Sequence, residues 1–170
     1  MERFVLFPGR HHLLTRFQAE YLRELAGPGA EGGRTVVWAV TSANHQNTKR
    51  NPVGYDRRQA AIERFSVQEG LRSLVVPVFD TAHTDRFAEV TLKSVESVLG
   101  RTLTPRETVV ACSTPEVAAM YAQLGFAIAG VEAEQDPVPD RPWDVLLRLA
   151  AGDPAWRELA HPASLDVFDR

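Results

Sequence analysis

The chain has 170 residues, 44% of them hydrophobic and 24% charged, with a formal net charge of −3 and a pI near 6.0. That is long enough for one sizeable core, too balanced for disorder, and not basic enough to point to a nucleic-acid partner. The single cysteine, Cys112, excludes an internal disulfide or an all-cysteine zinc site, and no apolar run approaches the roughly 18 to 20 residues of a membrane span. One domain over residues 1–170, in the cytoplasm, is the expectation.

Residues 3–8, RFVLFP, form a short apolar run closed by Pro8 and Gly9, which predicts a buried strand ending in a turn. Leu13, Leu14, Phe17, Tyr21, Leu22 and Leu25 then recur at helical spacing over 13–26, and GPGAEGG at 27–33 breaks the helix. TVVWAV at 35–40 predicts a second strand, followed by a polar loop to about Asp56 and a helix from Arg57 to Leu71. A third strand at 73–79 leads to a helix at 85–99. A fourth at 108–113 runs into TPEVAAMYAQLG, with Thr114 as N-cap and Pro115 at the first helical position. FAIAGVE is a fifth apolar segment, and 143–160 reads as one or two helices packing through Trp143, Leu146, Leu147, Leu149, Trp156 and Leu159.

Near-continuous apolar strands alternating with helices predict a doubly wound, Rossmann-like α/β fold. It has a five-stranded parallel sheet, helices on both faces and a C-terminal helical tail. Ligands bind such sheets beyond the C-terminal strand ends, which directs attention to the loops after Phe7, Val40, Phe79 and Ser113.

The first of these loops carries Arg10, His11, His12, Thr15, Arg16 and Gln18 around a helix start, where free N–H groups and cations suit a phosphate. The alternative is a set of solvated surface side chains. The second loop carries Lys49, Arg50, Arg57 and Arg58, which would attract a polyphosphate or simply keep the loop solvated around a turn at Asn51-Pro52. Asp80 could bind a sugar hydroxyl, orient water, hold a metal or cap a turn; His45 and His83 decide nothing alone. Cys112, in an apolar run, reads as a small core residue. The chain lacks a Walker-type phosphate loop, a GxGxxG fingerprint, a GxSxG elbow and CxxC or HExxH metal spacings. No protein-held metal site is expected.

In order, these loops resemble the nucleotidyltransferases defined by an HxGH signature, above all the nicotinamide mononucleotide (NMN) adenylyltransferases. GRHHLLTRFQ at 9–18 is similar to the family's GRFQPFHxGH-like stretch: Gly9 and Arg10 agree, Thr15 falls at the first signature histidine and Gln18 at the second. SANHQNTKRNPVGYDRR at 42–58 is similar to SAxxSxTxxNPFTxxER, aligning Ser42, Ala43, Thr48, Asn51, Pro52 and Arg58. VPVFD places Asp80 at the family's aspartate. TVVACSTPEVAAMYAQLGF, with Ser113, resembles its fourth strand and helix, and GDPAWRELAHPASLDVF resembles its C-terminal segment.

The resemblance implies ATP and NMN as substrates, NAD and pyrophosphate as products, and Mg²⁺ carried with the nucleotide. It implies Arg10, Lys49 and Arg58 on phosphates, Thr15 and Gln18 at the reacting phosphoryl group, and compensating charge from His11 or His12. Gly9, Ser42, Thr48, Asn51, Asp80 and Ser113 would line the nucleotide site. Family members are often oligomeric, which makes a homo-oligomer one expected state. Two departures keep alternatives open. Thr15 and Gln18 are neutral where the signature has histidines, and the family's ISSTxxR-type motif is replaced by DRPWDVLLRLAAG, in which Arg141 and Arg148 are the candidate substitutes, both off the aligned position. The alternatives are an enzyme cleaving NAD or a related dinucleotide to AMP and a mononucleotide, with water activated by Asp80 or a histidine, and an inactive nucleotide sensor.

Overall fold

The computed structural model describes residues 3–27, 33–44, 51–79 and 86–168. Its centre is a sheet of strands β1 (Phe4–Gly9), β2 (Thr35–Val40), β3 (Ser73–Pro77), β4 (Thr108–Ala111) and β5 (Ala127–Ala129). All four pairings are parallel, and the spatial order is β3-β2-β1-β4-β5. The chain works outward from β1 in one direction, then crosses back to the other side through β4. The switch in strand order therefore lies between β1 and β4, where Phe4 aligns with Thr108 and Leu6 with Val110.

Alternation along β1 explains the two layers. Val5 and Phe7 face helices α1 (Arg16–Ala26) and α2 (Tyr55–Glu69), packing with Trp38, Leu22, Ile62 and Phe65. Phe4 and Leu6 face α3 (Phe87–Leu99) and α4 (Pro115–Gln123), packing with Val37, Val95 and Tyr121. Each face must shed water onto a helix layer, so the strand reads as apolar throughout. The fold is the expected doubly wound one.

Beyond β5 come a 3₁₀ turn (Val131–Glu134) and the tail helices α5 (Pro142–Ala150), α6 (Trp156–Leu159) and α7 (Pro162–Phe168). The tail predicted over 143–160 continues into α7, which begins with Pro162 in its first turn and buries Ala163 and Ser164. The first helix starts later than the helical spacing over 13–26 predicts. Leu13 and Leu14 are wholly buried but precede the helix, because Thr15 is its N-cap. Leu14 joins the α1–α2 layer, whereas Leu13 packs with Val145, Trp156 and Ala160 in a separate cluster. The tail is thus bonded to the loop after β1. His161 N–H donates to the Leu14 carbonyl at 2.8 Å, Leu14 N–H donates to Ser164 Oγ at 2.7 Å, and Thr15 bridges Ala160. Among the described residues, no helix is long and apolar enough to cross a membrane.

Candidate functional site

The loop from β1 to α1 is shaped by buried polar contacts. His11 adopts a left-handed backbone (φ 55°) and folds its ring back, donating from Nε2 to the Phe7 carbonyl at 3.0 Å and lying edge-on to Phe7 and Trp38. Gly9 makes room for this. A Cβ there would stand 3.0 Å from the His11 ring. His12 uses both nitrogens: Nδ1 accepts the Val53 N–H at 3.3 Å, which leaves Nε2–H to donate to Asn51 Oδ1 at 3.1 Å. Burial holds both imidazoles down to about 4, with the Arg58 charge adding to the effect, so each keeps its single N–H and is neutral near pH 7. The compensating positive charge expected from His11 or His12 is therefore absent in the unliganded protein.

Thr15 and Gln18 form a reciprocal cap. Thr15 Oγ1 accepts the Gln18 N–H, and Gln18 Oε1 accepts the Thr15 N–H, each at 3.1 Å. Both first-turn donors are satisfied by the Thr-x-x-Gln spacing itself. Thr15 is buried in that role and lies outside the cleft described below, whereas Gln18 also lines the cleft.

Arg58 is also placed differently from the phosphate-binding expectation. Its side chain is 1% exposed, with Nη1 donating to the carbonyls of Arg10 and Thr41 at 3.1 and 3.0 Å and Nη2 to that of Ser42 at 2.9 Å. It is a brace from α2 that ties the loops after β1 and β2 together. Ser42 is left-handed (φ 54°), and its carbonyl is turned to that guanidinium. Thr48, Lys49 and Asp80, with His45, Arg50 and His83, lie outside the described residues.

At the switch between β1 and β4 opens a cleft of about 210 Å³. It is lined by Gly9, Arg10, His11, His12 and Gln18 from the β1 side, Cys112, Ser113 and Thr114 after β4, Glu132 after β5, and Arg141 and Trp143 at the start of α5. This is where an open parallel sheet takes ligands. Of the expected residues, Gly9, Arg10, His11, His12, Gln18 and Ser113 converge here; Thr15, Ser42, Asn51 and Arg58 support the walls instead. Arg10 holds its guanidinium 5.5 Å over the Trp143 ring. Arg148, the other candidate for gripping a triphosphate, pairs with Asp140 and Asp153 and is not in the cleft.

The residue that sequence reasoning missed is Glu132. Its side chain is buried, and burial pushes its carboxyl above the ordinary range, opposed by a hydrogen bond from Ser113 and by the nearby Arg141 charge. Val131 before it is left-handed (φ 50°), a costly conformation for a β-branched residue. Among the described residues the three left-handed non-glycines, His11, Ser42 and Val131, follow β1, β2 and β5, all at the C-terminal edge of the sheet. Among the described residues no cluster of three or more His, Cys, Asp or Glu side chains is placed to hold a metal ion.

A solved structure of the NadR protein in complex with NAD and AMP-PNP matches with a TM-score of 0.51 and 14% sequence identity. The two share a fold. The match covers 76% of this chain and 37% of that one, so this chain spans well under half of the length of its structural neighbour. No protein-family model and no curated protein matches the sequence. The likeness is one of fold, and the cleft lies at the topological switch where such a sheet takes ligands.

Proposed function

We propose that the cleft between β1 and β4 binds an adenine nucleotide and that the chain is an adenylyltransferase-like enzyme, joining ATP to a nicotinamide-type mononucleotide. The observation that carries this reading is the convergence of Arg10, His12 and Gln18 on one side of the cleft. A guanidinium beside neutral polar side chains favours a phosphoryl group there. The phosphate of the mononucleotide would attack the α-phosphorus of ATP in line, forming the new P–O bond as the bond to pyrophosphate breaks. In such a reaction, positioning and charge neutralisation do most of the work. Arg10 would neutralise charge, and Gln18 would donate to an α-phosphate oxygen. Ser113 and Thr114 would line the nucleoside side. Mg²⁺ would arrive as part of the ATP complex, held by its phosphates.

One observation favours a second reading, in which nucleotide is bound but not turned over by adenylyl transfer. The two signature positions serve as a helix cap, and both neighbouring histidines are neutral. The cleft therefore offers Arg10 and Arg141 as its cations, a small counter-charge for a departing pyrophosphate. Incubation with Mg²⁺ and NMN plus ATP, or with NAD alone, separates the possibilities when products are followed by liquid chromatography with mass detection. NAD and pyrophosphate from the first mixture support adenylyl transfer. AMP and NMN from NAD alone would replace it with pyrophosphate cleavage, and binding without products would replace it with sensing.

A further inference from the structure

The cleft contains two buried polar atoms with no hydrogen-bond partner among the described residues: Oε1 of Glu132, an acceptor when the carboxyl is ionised, and Nε of Arg141, a donor. Glu132 is 1% exposed, and both side chains line the cleft. Leaving either atom unsatisfied away from water carries a substantial cost, which a ligand group of the right chemistry would remove. The two side chains are close enough for the Arg141 charge to act on the Glu132 carboxyl. A hydroxyl suits both atoms, since it can donate to a carboxylate oxygen and accept from a guanidinium N–H, whereas an ammonium can only donate and an ionised phosphate oxygen can only accept.

The location of the pair within the sheet narrows the source of that hydroxyl. Glu132 follows β5 and Arg10 follows β1, with β4 between them. Two strand spacings, about 10 Å, therefore separate the carboxyl end from the phosphate-binding end, a span comparable to that of one nucleoside monophosphate. The Arg141 charge is shared with the Glu132 carboxyl, which leaves Arg10 the stronger pull on a phosphate and the uncharged sugar for the Glu132 end.

Resting on the reading that a nucleotide occupies this cleft, we infer that Glu132 and Arg141 together read a ribose hydroxyl, making this chain selective for ribonucleotides over deoxyribonucleotides. Ser113 acts as a positioning residue, holding the carboxyl with its own hydroxyl.

The test is calorimetric titration of the intact chain with AMP, 2′-deoxy-AMP, 3′-deoxy-AMP and inosine monophosphate. The expected result is that one deoxy form binds about tenfold more weakly than AMP, while inosine monophosphate, which lacks the amino group but keeps both hydroxyls, binds within about threefold of AMP. In Glu132→Ala the gap between AMP and that deoxy form closes, and Glu132→Gln, which keeps an acceptor oxygen, retains part of it. Should Glu132→Ala fail to fold, the discrimination by the unaltered protein still decides the question. Equal binding of AMP and both deoxy forms would overturn the inference, as would a loss confined to inosine monophosphate, and neither would disturb adenylyl transfer measured by turnover. Conversely, hydroxyl discrimination without turnover would uphold the inference and remove the transferase reading. No binding of any of the four would overturn the inference and nucleotide occupancy together.

Discussion

Replacing Arg58 by methionine separates a brace from a ligand contact. The substitution keeps most of the stem's volume and removes the guanidinium, leaving the carbonyls of Arg10, Thr41 and Ser42 without these three donors in a region closed to water. At about 1 kcal/mol or somewhat more for each buried acceptor, and with some relief from no longer burying a charge, the net loss is about 3 kcal/mol. For a chain of this size that corresponds to a fall of roughly 10 °C in Tm. Arg58→Lys should recover only part of it, because one ammonium cannot reach carbonyls spread over two loops. Urea and thermal unfolding of the unliganded proteins measure the effect. A phosphate ligand would behave in the opposite way, with unchanged stability and a higher KM, and that result would refute the bracing role.

Three further outcomes follow from the same contacts. His11 and His12 have folded values of about 4 against 6.5 unfolded, so the unfolded chain binds more protons between those limits, and stability is present above about pH 6.5 and lost as pH falls toward 4. From about pH 8 to about pH 5.5 the two together should cost about 3 kcal/mol in urea unfolding; a His11→Phe variant that keeps the full pH slope would contradict the buried, neutral assignment. Thr15→Ala removes one acceptor of the cap and should cost about 1 kcal/mol of stability, and an unchanged urea midpoint would argue against the cap. Arg10→Ala should weaken AMP binding at least about tenfold, alongside a stability loss of about 1 kcal/mol from its stacking on Trp143, and unchanged affinity would remove Arg10 from the phosphate end.

The strands and their parallel order class were legible because burial on both faces leaves an unbroken apolar run, as in VLF of β1 and VVWAV of β2. The position of the cleft was legible too, since it follows from where those strands end. The roles of individual charges were not. Arg58 announces a cation, but nothing local says that three carbonyls from two distant loops converge on it. His11 and His12 read as a basic pair, and only their burial in the fold makes them neutral. Thr15 and Gln18 carried a legible capping pattern that competes with their alignment to signature positions, and the helix start takes both. Glu132 ends an apolar run and looks like the polar edge of a strand; its burial depends on the turn after β5 and on the start of α5. Helix α7 was missed because its short run shows too few turns for a periodicity to stand out, although Pro162 marks its start.

A crystal structure of the chain grown with AMP locates the nucleotide. Density is expected between the ends of β1 and β4, with the phosphate beside Arg10 and Gln18 and the ribose toward Glu132. A nucleotide bound elsewhere on the molecule, with this cleft holding only solvent, would contradict it.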